Sequence, residues 1–296
     1  MSIDVIGLGE NSVDDVIRVP SLELAGGGKM RVTGRSRRAG GQVATTLAAC
    51  AALGLRTAYV GAFGDDGNGA FVRQALLDRG VDVERARVCP GANRYAVILV
   101  DDIRGERVVL WGRDPAVALD AADVDGVLPA GARLLHVDAT NIDASLHAAR
   151  VARAAGLAVT SDIDDAGRDA VELMAVVTIP ILASHVAEAL TGEHDVVRAL
   201  RQLRQPHHAM LCATRGEHGS VLLAGDQVYE EPAVTIAAVD TTGAGDVFRA
   251  GFIYALLNGE PPSRMLRWGN AAAAVSCTRD GAIDSVPALQ DVAALL

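Results

Sequence analysis

The densest concentration of residues able to do chemistry lies in Ala238–Phe252, which reads Ala-Val-Asp-Thr-Thr-Gly-Ala-Gly-Asp-Val-Phe-Arg-Ala-Gly-Phe. Asp240 ends a short apolar run that reads as a strand. Two threonines and Gly243-Ala244-Gly245 follow, and Asp246 opens an apolar helix marked by Val247, Phe248, Phe252, Ile253, Leu256 and Leu257. The first N–H groups of a helix have no partner inside it, and the aligned peptide dipoles add about half a positive charge at that end. Small residues let a ligand approach the backbone, so the turn is suited to phosphate. A carboxylate beside such a site repels the anion unless it has a task, and taking the proton from an attacking hydroxyl is one. A glycine-rich turn before an ordinary core helix accounts for a bare Gly-Ala-Gly. It does not account for both aspartates.

Asp240-Thr-Thr-Gly-Ala-Gly-Asp246 resembles the C-terminal signature of the ribokinase (PfkB) family of ATP-dependent sugar kinases. The resemblance implies Asp246 as catalytic base and the amides of Gly243, Ala244 and Gly245 as the anion hole. Ala39-Gly-Gly-Gln-Val-Ala-Thr45 resembles the family's N-terminal glycine signature, which implies Gly40 and Gly41 packed against the sugar and Thr45, standing where an Asn is common, as a further substrate-binding residue. Some ketose-directed members, including sulfofructose kinase, carry a similar Ala-Thr. Asp14 best matches the family aspartate that binds sugar hydroxyls, with Asp15 its only rival. Cys212-Ala-Thr-Arg-Gly-Glu-His-Gly219 resembles the turn over the ATP phosphates, through Thr214, Gly216 and Gly219. In the C-terminal region the same likeness puts Asn270 near the adenine. It also puts Asp240, Thr242, Ser276, Gly281 and Ser285 around a monovalent cation such as potassium. One departure stands out: the family's Asn-x-x-Glu, which supports magnesium through water, is here Ser184-His-Val-Ala187, with Glu188 one position late. Ketohexokinase-like and sulfofructose-kinase-like members share that departure.

The elements needed to position these residues follow from the hydrophobic pattern. Strand-like runs at Asp4–Gly9, Thr57–Gly61, Leu134–Val137, Ala158–Ser161, Val176–Ile179 and Ala209–Cys212 alternate with helical stretches at 69–79, 143–155 and 186–202. Such alternation predicts a doubly wound, mostly parallel sheet. Gly7-Leu-Gly9 is no dinucleotide fingerprint, because Ser12 stands at the last glycine position and no helix follows. Gly26-Gly27-Gly28-Lys29 is no Walker loop, since Glu23 and Met30 occupy its key positions. Weakly alternating residues 16–38 and a hairpin at 93–112 predict a small β sheet standing over the sugar, with Tyr95 and Trp111 as packing. One ribokinase-like domain over 1–296, with a lid of about 14–38 and 93–112, is the expected organisation.

At 296 residues the chain can bury a large core. Its net charge of −10 and lack of any basic block exclude nucleic acid as a natural partner. Four scattered cysteines form neither a Cys-x-x-Cys pair nor a disulfide framework, no apolar run approaches a membrane span, and the N-terminus has no basic leader. The histidines lack metal-ligand spacing. The expectation is a cytoplasmic, magnesium- and ATP-dependent kinase transferring a γ-phosphate to a hydroxymethyl group of a sugar, dimeric through exposed lid strands. A non-sugar alcohol such as a nucleoside as acceptor, and a catalytically silent binding protein, are the alternatives.

Overall fold

The computed structural model describes residues 2–23, 28–104, 106–128 and 131–296; Leu24, Ala25, Gly26, Gly27 and Gly105 of the expected lid lie outside them. From the N-terminus the chain forms β1 (Val5–Leu8), β2 (Ser12–Val19), β3 (Gly34–Gly40), α1 (Gln42–Ala52), β4 (Thr57–Val60), β5 (Ala62–Gly64) and α2 (Gly67–Asp78). Next come β6 (Arg87–Cys89), β7 (Tyr95–Asp101), β8 (Arg107–Gly112), β9 (Leu134–Val137), α3 (Ile142–Ala154), β10 (Ala158–Ser161) and α4 (Arg168–Met174). The remainder is β11 (Ile181–Ala183), α5 (Ser184–Thr191), α6 (Val196–Leu203), β12 (Met210–Thr214), β13 (Ser220–Ala224), β14 (Gln227–Glu231), α7 (Ala244–Leu257), α8 (Pro262–Cys277) and α9 (Leu289–Ala293).

Strands β4, β1, β9 and β10 lie side by side and parallel. Parallel bridges Thr160↔Ile179 and Ile163↔Leu182 carry the sheet on to β11 and β12, after which β13 and β14 return antiparallel. Period-two alternation sends Val5 and Leu134 into one core and Ile6, Leu8, Leu135 and Val137 into the other. Helices α1, α7 and α8 cover the first face; α3, α5 and α6 contribute to the second. Gly7 lets α1 close on β1, because a Cβ there would sit 2.6 Å from Val43 and 2.7 Å from Leu47. These layers bear out the expected ribokinase-like α/β fold.

A separate sheet runs β3-β2-β7-β8, joined antiparallel, parallel and antiparallel. Its strands lie within and beside the stretches expected to form the lid. Three other expectations need correction. Val176–Ile179 is not a strand; the chain bridges only at Ile179 and the strand proper starts after Pro180. The helix expected over 186–202 is two helices, because Gly192 adopts left-handed φ 72 and stops α5. The run before Asp240 is irregular rather than β: it has no neighbouring strand, and Val239 instead donates its N–H to Cys277 O at 2.8 Å. The four cysteines are free and buried.

Candidate active site

Asp246 sits in the first turn of α7, and the geometry of that turn comes from Gly243. Gly243 is the N-cap residue with φ 74, and a Cβ on it would meet Ala282 Cβ at 2.9 Å and Thr45 Cγ2 at 3.3 Å. A side chain therefore faces both left-handed strain and a backbone close by. Gly243→Ala is expected to cost about 1–2 kcal/mol and to lower kcat, read by thermal melting and steady-state assay. Retention of both wild-type values would show the turn to be indifferent. Of the amides expected to form the anion hole, Ala244 N–H already donates to Thr241 O at 3.2 Å. Gly243 and Gly245 N–H have no backbone acceptor among the described residues.

The carboxyls of Asp246 and Asp162, the latter just past β10, are close enough to shift one another. Burial, then the neighbouring charge of Asp162, pushes the Asp246 acid well above the ordinary carboxylate range. Asp162 is raised by burial too, and Arg249 works against the rise in both. Arg249 lies on α7 one turn after Asp246, with its Nη2 2.5 Å from Asp162 Oδ1 and the two side chains only 4% and 1% exposed. Nη2 also reaches Ile181 O at 3.4 Å. The guanidinium thus pairs with Asp162 and, through its charge, also favours the ionised form of Asp246. Neither Asp162 nor Arg249 was singled out by motif. Arg249 did leave a signal, as a charge inside an otherwise apolar helix face; its partner, far away in sequence, left none.

One cleft adjoins this turn and a second lies at Asp162. The first, of about 460 Å³, is lined by Thr214, Gly216, Gly219, Ala244, Gly245 and Asn270 among others. Asn270 is spent on its own wall: Oδ1 accepts from Ser220 Oγ at 3.1 Å and Nδ2 donates to Glu231 O and Pro232 O. The second, of about 500 Å³, is bounded by Glu10, Arg94, Trp111, Arg113, Asp162 and Asp164 among others. Gly245, in the wall of the first, immediately precedes Asp246, whose carboxyl interacts with that of Asp162 in the wall of the second.

Around the second cleft, Glu10 N–H donates to Asp138 Oδ2 at 2.7 Å, and Gly9 is required because a Cβ there would meet that carboxylate at 2.4 Å. Burial lifts the Glu10 acid to about 8 although Arg94 pairs with it. Asp14, on β2, accepts from Ser12 Oγ at 3.2 Å and faces the backbone of Gly40; burial raises its acid. A Cβ at Gly41, φ 100, would lie 2.5 Å from Asn11 Cα, so this glycine meets the Glu10–Asn11 backbone. Thr45 is fully buried against Gly243, its hydroxyl without a hydrogen-bond partner among the described residues, and it lies behind the anion turn, outside the second cleft wall, which α1 enters through Gln42. Next to it Thr46 Oγ1 donates to Asp246 O at 3.2 Å.

Asp240 accepts from Thr242 N–H and Oγ1 through Oδ1 and from Gly281 N–H through Oδ2. Burial opposes its charge, but these bonds outweigh burial and hold the acid below the ordinary range. The Ser276 and Ser285 hydroxyls donate to Ala273 O and Ala282 O. Glu188 Oε1 meets His194 at 2.7 Å on the surface, outside both clefts. Lys29 is exposed. Among the described residues no group of three or more His, Cys, Asp or Glu forms a metal cage, and no helix is long and apolar enough to cross a membrane.

One cleft thus lies at the N-terminus of α7 and the other at Asp162, whose carboxyl interacts with that of buried Asp246. Residues 2–289 match the model of the pfkB family of carbohydrate kinases, and the chain belongs to that family. It is a sugar kinase. It is 30% identical over 300 residues to the ATP-dependent ribose-1-phosphate kinase of Halopiger xanaduensis, spanning 99% of this chain and 98% of that one. It is 31% identical over 301 residues to the acarbose 7(IV)-phosphotransferase of an Actinoplanes species, spanning 98% of each. Its fold is similar to that of Arabidopsis thaliana ribokinase complexed with ribose and ATP, with TM-score 0.88, 23% identity, and 100% and 99% of the two chains covered.

Proposed function

We propose that the chain transfers the γ-phosphate of ATP to a hydroxymethyl group of a sugar, with Asp246 as the general base. What supports this reading is the place of Asp246, which follows Gly245 in the wall of the first cleft and interacts with Asp162 in the wall of the second. The first cleft takes the nucleotide along Thr214, Gly216 and Gly219, with Asn270 bracing its far wall. The second takes the sugar, whose hydroxyls meet Asp14 and the Gly40–Gly41 backbone. The acceptor oxygen attacks phosphorus as the bond to the ADP oxygen breaks, and its proton passes to Asp246. N–H groups of Gly243, Ala244 and Gly245 stabilise the charge on the transferred group, Ala244 once it releases Thr241 O. Magnesium, bound chiefly to the nucleotide phosphates, would supply charge neutralisation. A potassium ion beside Asp240, Thr242, Ser276, Gly281 and Ser285 would brace the turn.

The smaller sheet acts as a lid on one domain spanning 1–296, closing to exclude water. Its edge strand β8 exposes Val108, Val109, Leu110 and Trp111 at 42%, 47%, 55% and 63%, a row that fits a second copy of the chain in the cytoplasm. Leu110→Lys is expected to convert a dimer to a monomer in light scattering; a monomeric wild type would end that reading. The function itself is tested by ADP release against aldoses, ketoses, sugar acids, sugar phosphates and nucleosides. Transfer to a sugar with label from the γ-phosphate supports it. Turnover confined to nucleosides, or nucleotide binding with no transfer, would replace it.

A further inference from the structure

Arg113 follows β8, and Arg94 precedes β7. Tyr95 and Gly112 are register partners, so the two arginines leave adjoining strands at the root of the small sheet and enter one cleft. The guanidinium of Arg113 is half-buried, and the groups that hold it are neutral: Nη1 donates to Thr140 O at 2.5 Å and Nη2 to Asn141 Oδ1. Among the described residues no carboxylate lies within 4.0 Å of it. Arg94 lies 4.8 Å over the Trp111 ring and pairs with Glu10, a buried acid. Asp138 and Glu10 act on Arg113 only from beyond contact range. Burial, then the charge of Arg94, makes the cationic form of Arg113 harder to hold. A half-buried cation with no carboxylate in contact is costly to hold, and a bound anion would offset that cost. The remaining N–H donors of the guanidinium suit an oxyanion.

The acidic side chains of the cleft are arranged differently. Asp162 is paired with Arg249 beside Asp246, and Asp164 acts on Asp162 and Asp138. Positive charge therefore collects at the root of the small sheet, while negative charge collects where the hydroxyl reacts. The geometry points to an oxyanion subsite formed by Arg113 and Arg94, so that the sugar taken by this kinase already carries a phosphate monoester or carboxylate remote from the hydroxyl that is phosphorylated. This rests on the sugar-kinase reading above.

The test compares kcat/KM for ribose, ribose 1-phosphate and ribonate, and for the corresponding hexose set, in wild type, Arg113→Gln and Arg113→Lys. Wild type is expected to favour one anionic member over its neutral parent by at least about 10-fold, with phosphate and carboxylate told apart by which is favoured. Arg113→Gln should lower the anionic-to-neutral ratio by about 10- to 100-fold, mainly through KM, and Arg113→Lys should recover part of it. If Arg113→Gln does not fold by melting, Arg94→Gln carries the same ratio test. Efficient phosphorylation of neutral sugars, with the ratio unmoved by these variants, overturns the subsite and leaves the kinase reading intact. No transfer to any sugar overturns both.

Discussion

Asp246→Asn is expected to lower kcat by about 10²- to 10⁴-fold, the range general-base help supplies, while ATP affinity falls far less. The reason is positional. Asp246 lies at the start of α7, next to the Gly245 backbone of the nucleotide cleft, yet its carboxyl faces the other cleft through Asp162. Asn keeps the shape and removes the proton acceptor. Rapid-quench transfer of γ-labelled phosphate and a fluorescence titration of nucleotide separate the two effects. Near-wild-type transfer would remove Asp246 from its role. Equal loss of binding and transfer would make it a structural residue of the turn.

Arg249→Met is expected to destabilise the protein by about 3–5 kcal/mol, on the order of 10 °C in melting temperature, because it strands the buried carboxylate of Asp162. The loss should depend on pH with a definite sign. In the variant both Asp162 and Asp246 lose the one positive charge that opposes their raised acidities. A carboxyl with a raised folded-state pKa contributes its stability fully below the unfolded pKa of about 3.9 and loses it as pH rises through the folded value. Melting curves should therefore show a smaller deficit near pH 5 than near pH 8, and Asp162→Asn in the same chain should restore part of it. A deficit independent of pH, with no rescue, would reduce Arg249 to a packing residue.

The fold was legible because its signals are local. The β/α alternation and the glycine-opened helices α1 and α7 need only neighbouring residues to be read. Where a signal depended on distant partners, reading failed. The apolar run before Asp240 had the composition of a strand but found no neighbouring strand, and Gly192 broke a helix that periodicity alone carried through. Of the motif residues, Ala244 and Gly245 reach the first cleft and Asp246 interacts with Asp162 of the second, whereas Thr45, read as facing substrate, is buried against Gly243. Asp162, Arg249, Arg94 and Arg113 could not be assembled from spacing: their meeting depends on how β10 lies against α7 and on the register of Tyr95 with Gly112.

The pH dependence of kcat/KM for phosphoryl transfer, taken in parallel for wild type, Asp162→Asn and Asp246→Asn, bears most directly on the proposal that Asp246 accepts the sugar proton. A base must be ionised, so wild-type activity should fall as pH drops through a value above the ordinary carboxylate range. Asp162→Asn removes a like charge and leaves Arg249 to Asp246, so the acid limb should move to lower pH. In Asp246→Asn the small residual rate should lose that limb. An acid limb unchanged in all three proteins would assign the proton to some other group and contradict the proposal.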